Sequence, residues 1–247
     1  MCGIFGAIGN YNPDKVRTLC LLNKERGSHS TGIFNGKFVI KGAVDSSDFV
    51  IGNGDDFKGD LLIGHTRFAT RGAVNEKNAH PFDIGNIIGV HNGIIYNFDE
   101  KLKAVAKDFE VDSEIIFYLL NKGVKKLLKL RGYWGLAWID KRNPAKVFLS
   151  NNNGELHYAI DNGVLYFSSD KDHLKVITKA KIKEVPDGAV LTVDRKTLKI
   201  EKKSYKFIKS VYYQAGNQNA FGFDTSNERS SNSFLGKTIS FPLCVTV

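Results

Sequence analysis

The chain has 247 residues, 42% hydrophobic and 25% charged, with a net charge of +9. This is enough for one large domain, or one domain with an extension, and it leaves fibrous and wholly disordered readings without support. Three cysteines (Cys2, Cys20 and Cys244) without a CxxC pair argue against a disulfide framework or a thiolate zinc site and for a reducing, cytoplasmic setting.

There is no basic leader ahead of a long apolar run, and no stretch approaches the ~20 apolar residues of a membrane span. Residues 3–8 (GIFGAI) read as a buried strand. Asn12 followed by Pro13 pairs a capping residue with proline at the first helical position, and Arg26-Gly27 closes that helix. Val16, Leu19 and Cys20 share its apolar face, so Cys20 reads as core. Strands follow at 37–41, 60–66 and 86–91. Helices are expected at 98–107 and from about 112, with a shorter one at 124–130. The pattern then turns to strands: YWGLAWID, AKVFLS, ELHYAI, GVLYFSS and GAVLTVD, separated by turn clusters such as NNNG (151–154) and DNG (161–163). Asp170 or Asp172 caps a helix reaching Thr178. Hairpin-linked strands in blocks favour antiparallel sheets with helices packed outside, an α+β class. The expected domain is 1–209. Residues 210–247 read as a polar loop or tail rich in Asn, Gln, Ser and Gly, with an apolar end (ISFPLCVTV).

Much of the positive charge lies between Lys175 and Lys209, where lysines alternate with apolar residues, the pattern of solvated strand faces. A weak attraction to nucleic acid through the summed field is the other reading, without any recognition motif behind it. The glycine run GIFGAIG lacks G-x-G-x-x-G spacing, and the histidines lack metal-ligand spacing, so no cofactor and no metal is expected.

Several stretches carry candidate chemistry. Cys2 follows the initiator methionine, where loss of Met1 would give a thiol and a free amine on one residue. RGSHSTG (26–32) reads as a polar loop, or as one closing over a polar substrate. In GHTRFATRG (64–72), Arg67 directly follows an apolar strand, so its guanidinium is suited to a bidentate grip on a carboxylate; a surface ion pair is the alternative. Asn92-Gly93 in HNGIIYN follows another apolar strand. It reads as a turn, or as an oxyanion hole of one side-chain amide and one glycine N–H. Asp112 in DSE stands at a helix start, as a cap or as a partner for an ammonium group. Together these groups suit a free amino acid with an amide side chain.

MCGIFG, RGSHSTG, GHTRFATRG, NAHPF, HNGIIYN, DSE, GYWGLAW and YFSSD, in this order, resemble the class II glutamine amidotransferases. These are N-terminal-nucleophile hydrolases, and within them the likeness is greatest to the glutaminase domain of the glucosamine-fructose-6-phosphate aminotransferases. The resemblance runs from Met1 to about residue 200. It implies a four-layer αββα fold of two antiparallel sheets and hydrolysis of L-glutamine to glutamate and ammonia. It implies Cys2 as nucleophile with its own amine as base, Asn92 and Gly93 as oxyanion hole, and Arg67 and Asp112 on the substrate's carboxylate and ammonium. It also implies that Thr70 and His80 line the substrate site and that Arg26 supports the Cys2 region. Three positions depart from the family pattern: Phe68 stands for a tryptophan, Arg71 for a histidine and His29 for an aspartate. At this length the acceptor of ammonia is expected to be a synthase on a separate chain. The alternatives are another N-terminal-nucleophile amidohydrolase, or a non-catalytic regulatory module with the same fold.

Overall fold

The structure is a computed structural model that describes residues 2–105 and 108–209. The expected tail, 210–247 with its apolar end and Cys244, lies outside the described residues.

The chain opens with β1 (Gly3–Ile8) and α1 (Pro13–Leu22). Asn12 caps α1, its side-chain oxygen accepting from Asp14 N–H at 2.8 Å, and Pro13 opens the first turn. Such a cap contributes ~1 kcal/mol. The α-helix stops at Leu22 and tightens into a 3-10 turn over Asn23–Arg26 before Gly27, so the expected stop is reached by way of a change in helix type. Next come β2 (Ser30–Phe34), β3 (Val39–Gly42), α2 (Ser46–Asn53) and β4 (Leu61–Arg67). Neither β2 nor α2 is announced by the sequence; β2 takes the last three residues, Ser30 to Gly32, of what reads as the polar loop RGSHSTG. After these, β5 (Phe82–Ile84), β6 (Ile87–Ile95), α3 (Phe98–Val105) and α4 (Asp112–Asn121) lead through a 3-10 turn at Val124–Lys129.

The antiparallel block consists of β7 (Arg131–Asp140), β8 (Lys146–Asn152), β9 (His157–Asp161) and β10 (Val164–Ser168), followed by α5 (Lys171–Ile177), which Asp170 caps. Asn162 and Gly163, both at positive φ (48° and 75°), make the two-residue turn between β9 and β10, the conformation that Asn-Gly adopts readily. Four strands complete the chain: β11 (Lys183–Glu184), β12 (Ala189–Asp194), β13 (Ile200–Ser204) and β14 (Ile208–Lys209). The lysine-rich β13 is largely exposed, as a solvated face should be.

Two sheets form. The first runs β11-β9-β10-β1-β4-β2-β3 and the second β13-β12-β8-β7-β6-β5, with β14 beside β7. All neighbours are antiparallel except β14 and β7. The period of two along each strand sorts side chains into layers. Ile4 and Ile8 of β1 and Leu61 and Ile63 of β4 meet Ile88 and Val90 of β6 and Leu149 of β8 between the sheets. Phe5, Ala7 and Leu62 point the other way, onto α1, α2 and α5, where Cys20 is fully buried. Ile115, Ile116, Leu119 and Leu120 of α4 cover Trp134, Leu136 and Trp138 on the outer face of the second sheet. The architecture is α+β, helices on either side of two antiparallel sheets, as expected. Each fully buried large aliphatic side chain in these layers contributes ~1.5–3 kcal/mol. Among the described residues no helix is long and apolar enough to cross a membrane.

Candidate active site

The same alternation decides what reaches the edge between the sheets. On β4, Leu61, Ile63, His65 and Arg67 share the inner side, so the apolar run that buries Leu61 and Ile63 delivers Arg67 at its end. Arg67 is 2% exposed. On β6, Ile88, Val90 and Asn92 face the first sheet, while His91 faces α4, where its Nδ1 meets Ser113 Oγ at 2.9 Å. Asn92-Gly93 is not a turn: β6 runs through it to Ile95, with Asn92 opposite Gly135 and Gly93 opposite Trp134. The sequence reading of β6 as ending at His91 is corrected here. What continues the strand is its pairing to the long β7, which propensity does not report. Gly93 sits at φ 154°, and a Cβ there would lie 2.1 Å from the Tyr133 carbonyl oxygen, so glycine is required by both conformation and space.

Cys2 lies just ahead of β1 and is half-buried. Its thiol donates to the Phe68 carbonyl at 3.6 Å, and the Phe68 N–H donates to Sγ at 3.4 Å. Phe68 is the residue after Arg67, which brings the thiol and the guanidinium together. Burial pushes the Cys2 thiol up. The Phe68 N–H and the Arg67 charge oppose this, and the Asp112 carboxylate adds to it. Arg67 donates to the carbonyls of Ala73, at 3.0 Å, and Arg71. Burial lowers its pKa, with Cys2 and Asp112 pulling the other way. The guanidinium has five N–H donors, so these two bonds leave others for a ligand.

Asp112 is the first helical residue of α4, not its cap; Val111 takes that position, and Glu114 reaches back to accept from the N–H of Val111 at 3.0 Å. Asp112 itself accepts from Ile95 N–H at 2.9 Å, tying α4 to the end of β6. Arg26 donates from Nε to the Cys2 carbonyl at 3.1 Å, and its other nitrogens meet Glu155 at 2.9 Å and Asp170 at 3.5 Å. Thr70 is exposed in the loop after Arg67. His80, 3% exposed, lies with its ring tilted against that of His65, centroids 4.0 Å apart, and meets Phe82 edge-on at 4.6 Å. It therefore lies in the buried layer beneath the loop. Cys2, Arg67, Asn92, Asp112 and Arg26 thus come together at one end of the sheets from five separate segments.

A family model described as a glutamine amidotransferase domain matches residues 65–176. A glutamine–fructose-6-phosphate aminotransferase (isomerizing) of Thermococcus kodakarensis is 34% identical over 226 residues, 81% of this chain and 37% of that protein. One from Pyrococcus horikoshii is 33% identical over 194 residues, 69% of this chain and 32% of that protein. The chain carries a class II glutamine amidotransferase domain. It spans about a third of the length of these curated relatives. The fold agrees with that of the B. subtilis glutamine phosphoribosylpyrophosphate amidotransferase solved with ADP and GMP. The TM-score is 0.67 at 21% identity, over 82% of this chain and 49% of that one.

Residues that the sequence does not single out join the candidate site. Ser169, 1% exposed, accepts from Ile4 N–H at 2.9 Å and from the Asn92 side-chain amide at 3.4 Å, while its own N–H donates to the Ile4 carbonyl. It stands in YFSSD, and its hydroxyl gives no periodic signal. Glu155 and Asp170 hold Arg26. Glu25, Asp170 and His173 converge as metal ligands would; Glu25 is hydrogen-bonded to His173 and Asp170 pairs with Arg26, so the three form a polar network behind Cys2. Arg71, one of the three departures, pairs with Asp99 at 2.6 Å and lies over Phe98 at 4.5 Å, so it docks the loop onto α3. The other two departures, His29 and Phe68, touch each other.

Proposed function

We propose that this domain hydrolyses L-glutamine, with Cys2 as nucleophile once Met1 has been removed. The Cys2 thiol gives its proton to the Cys2 α-amine, whose ordinary pKa of ~8 lets it serve in both directions near neutral pH. The thiolate attacks the side-chain carbonyl carbon. The oxyanion takes hydrogen bonds from the Asn92 amide and the Gly93 N–H. The ammonium returns the proton to the leaving nitrogen, ammonia departs, and a thioester remains. Water then adds to the thioester with the amine as base, releasing glutamate and restoring the thiol. Arg67 holds the substrate carboxylate and Asp112 its ammonium, with Thr70 and His80 bordering the substrate and Arg26 steadying the Cys2 carbonyl. Ammonia passes to an acceptor enzyme whose site lies outside residues 2–209.

The observation that carries this reading is the contact of Cys2 Sγ with the backbone of Phe68, directly after Arg67. A nucleophile and a carboxylate-binding cation are thereby adjacent, as an α-amino acid amide demands. The test is glutamate release from glutamine by wild type and Cys2→Ala, beside a panel of amides lacking the α-carboxylate or the α-amine. Wild type prefers glutamine, and the variant loses activity by a factor of roughly 10³ or more. Unchanged turnover in the variant, or a preference for an amide that is not an amino acid, overturns the reading. Intact mass establishes whether Met1 is gone, and a chain that keeps it is inactive.

A further inference from the structure

His29 makes three contacts to three consecutive residues. Its N–H donates to the Arg67 carbonyl at 3.0 Å, and its ring stacks on Phe68 with centroids 4.9 Å apart and planes 26° apart. Its Nδ1 accepts from Ala69 N–H at 2.9 Å. The last bond requires a neutral ring with Nδ1 free of hydrogen. Segment 67–69 is where the candidate site is assembled: Arg67 supplies the guanidinium, and the N–H and carbonyl of Phe68 both touch Cys2 Sγ. The ladder between β2 and β4 ends at Ser30 opposite Arg67, so Phe68 and Ala69 lie beyond sheet pairing. Phe68 is 47% exposed, which leaves little burial to hold it. Gly27 lets the two segments close: a Cβ there would lie 2.4 Å from the Arg67 carbonyl carbon and 2.6 Å from Phe68 N.

We infer that His29 is a positioning residue for glutamine hydrolysis, fastening segment 67–69 so that Arg67 and the Phe68 N–H keep their places beside the nucleophile. The inference rests on the function proposed above. His29 thus joins a hydrogen-bond acceptor for Ala69 to a ring stacked on Phe68.

The experiment compares His29→Leu, which keeps bulk and loses the acceptor, with His29→Asn, which keeps an acceptor near the place of Nδ1. Three quantities are read: steady-state glutamine hydrolysis, the pH dependence of Cys2 alkylation by iodoacetamide without glutamine, and thermal melting. Alkylation is followed by peptide mass spectrometry so that Cys20 and Cys244 are counted apart. In His29→Leu, kcat/KM falls roughly 10-fold, the worth of about one hydrogen bond. Its Cys2 alkylation midpoint moves to higher pH because the Phe68 N–H is no longer held on sulfur. His29→Asn restores most of both. The inference is overturned if His29→Leu keeps the wild-type rate and alkylation profile, if losses only track the unfolded fraction, or if asparagine restores nothing. Wild-type protein that does not hydrolyse glutamine defeats the functional reading alone, because the alkylation profiles still report the fastening.

Discussion

Asn92 on one sheet donates its side-chain amide to Ser169 Oγ, at 3.4 Å, at the end of a strand of the other sheet. Ser169 exchanges two hydrogen bonds with Ile4, two residues after Cys2. The amide nitrogen has two hydrogens, so one can be spent on Ser169 while the other points at a developing oxyanion.

Removing the Asn92 amide should therefore act on the transition state. Asn92→Ala lowers kcat by ~10²–10³ with a smaller change in KM, the loss ordinarily seen for one oxyanion donor. Ser169→Ala leaves the donor in place but unfastened, and kcat falls roughly 10-fold. Steady-state kinetics on both variants checks the order. A larger loss for Ser169→Ala than for Asn92→Ala would contradict it.

Arg67 offers a second comparison. Arg67→Lys keeps the charge and loses the planar fork, so KM for glutamine rises about 10- to 100-fold, the worth of a charged hydrogen bond. Arg67→Met also removes the positive charge that holds the Cys2 thiol down against burial. Its kcat/KM profile rises at higher pH than that of wild type, whereas the lysine variant keeps the wild-type midpoint. Initial rates across the pH range read both effects.

Gly93 has no room for a side chain. Gly93→Ala would set a methyl 2.1 Å from the Tyr133 carbonyl at a φ of 154°. The substitution costs about 1–3 kcal/mol or more in strain and displaces β6 from β7. Gly163→Ala is the control: its φ of 75° also disfavours alanine, but nothing lies within 4 Å of the added carbon. Thermal melting should show the larger loss for Gly93, with activity lost only there.

Three buried histidines set an acid limit on stability. His65 donates to the His91 carbonyl, and burial pushes it down to about 3; burial also lowers His80 and His91. Unfolded, each takes up a proton near the usual value of ~6.5. Below that value the unfolded chain binds more protons than the folded one, so stability falls with pH, by up to ~1.4 kcal/mol per pH unit for each histidine. For His65 the window runs from ~6.5 down to about 3. Denaturant unfolding at several pH values should be flat for this contribution above pH ~7 and fall steeply below pH ~6. A flat profile between pH 7 and 5 would show that these rings are not held neutral.

Much of this protein is set locally and can be read from order alone. Asn12 and Pro13 start α1 by capping and by a fixed φ, Asn162-Gly163 turns β9 into β10, and continuous apolar runs mark β1 and β4. The set Cys2, Arg67, Asn92-Gly93 and Asp112 is visible as motifs because each joins an apolar run or a helix start to a residue of distinct chemistry. Other features needed the folded chain. Ser30 and Thr31 of β2 are polar yet almost fully buried, because β3 and β4 flank them and supply the backbone bonds that a lone segment lacks. Asn92-Gly93, a turn on local preference, is held extended by nine residues of pairing with β7. His29 and Ser169 lie within motifs, in RGSHSTG and YFSSD, but nothing in the motif or its periodicity tells what they, or Glu155, hold, since their partners lie 38 to 165 residues away. Residue order determined the strongly apolar strands and the reactive groups that lie in or beside them. Register, set by the packing of two sheets face to face, decided which of those groups share one side and which side chains hold them there.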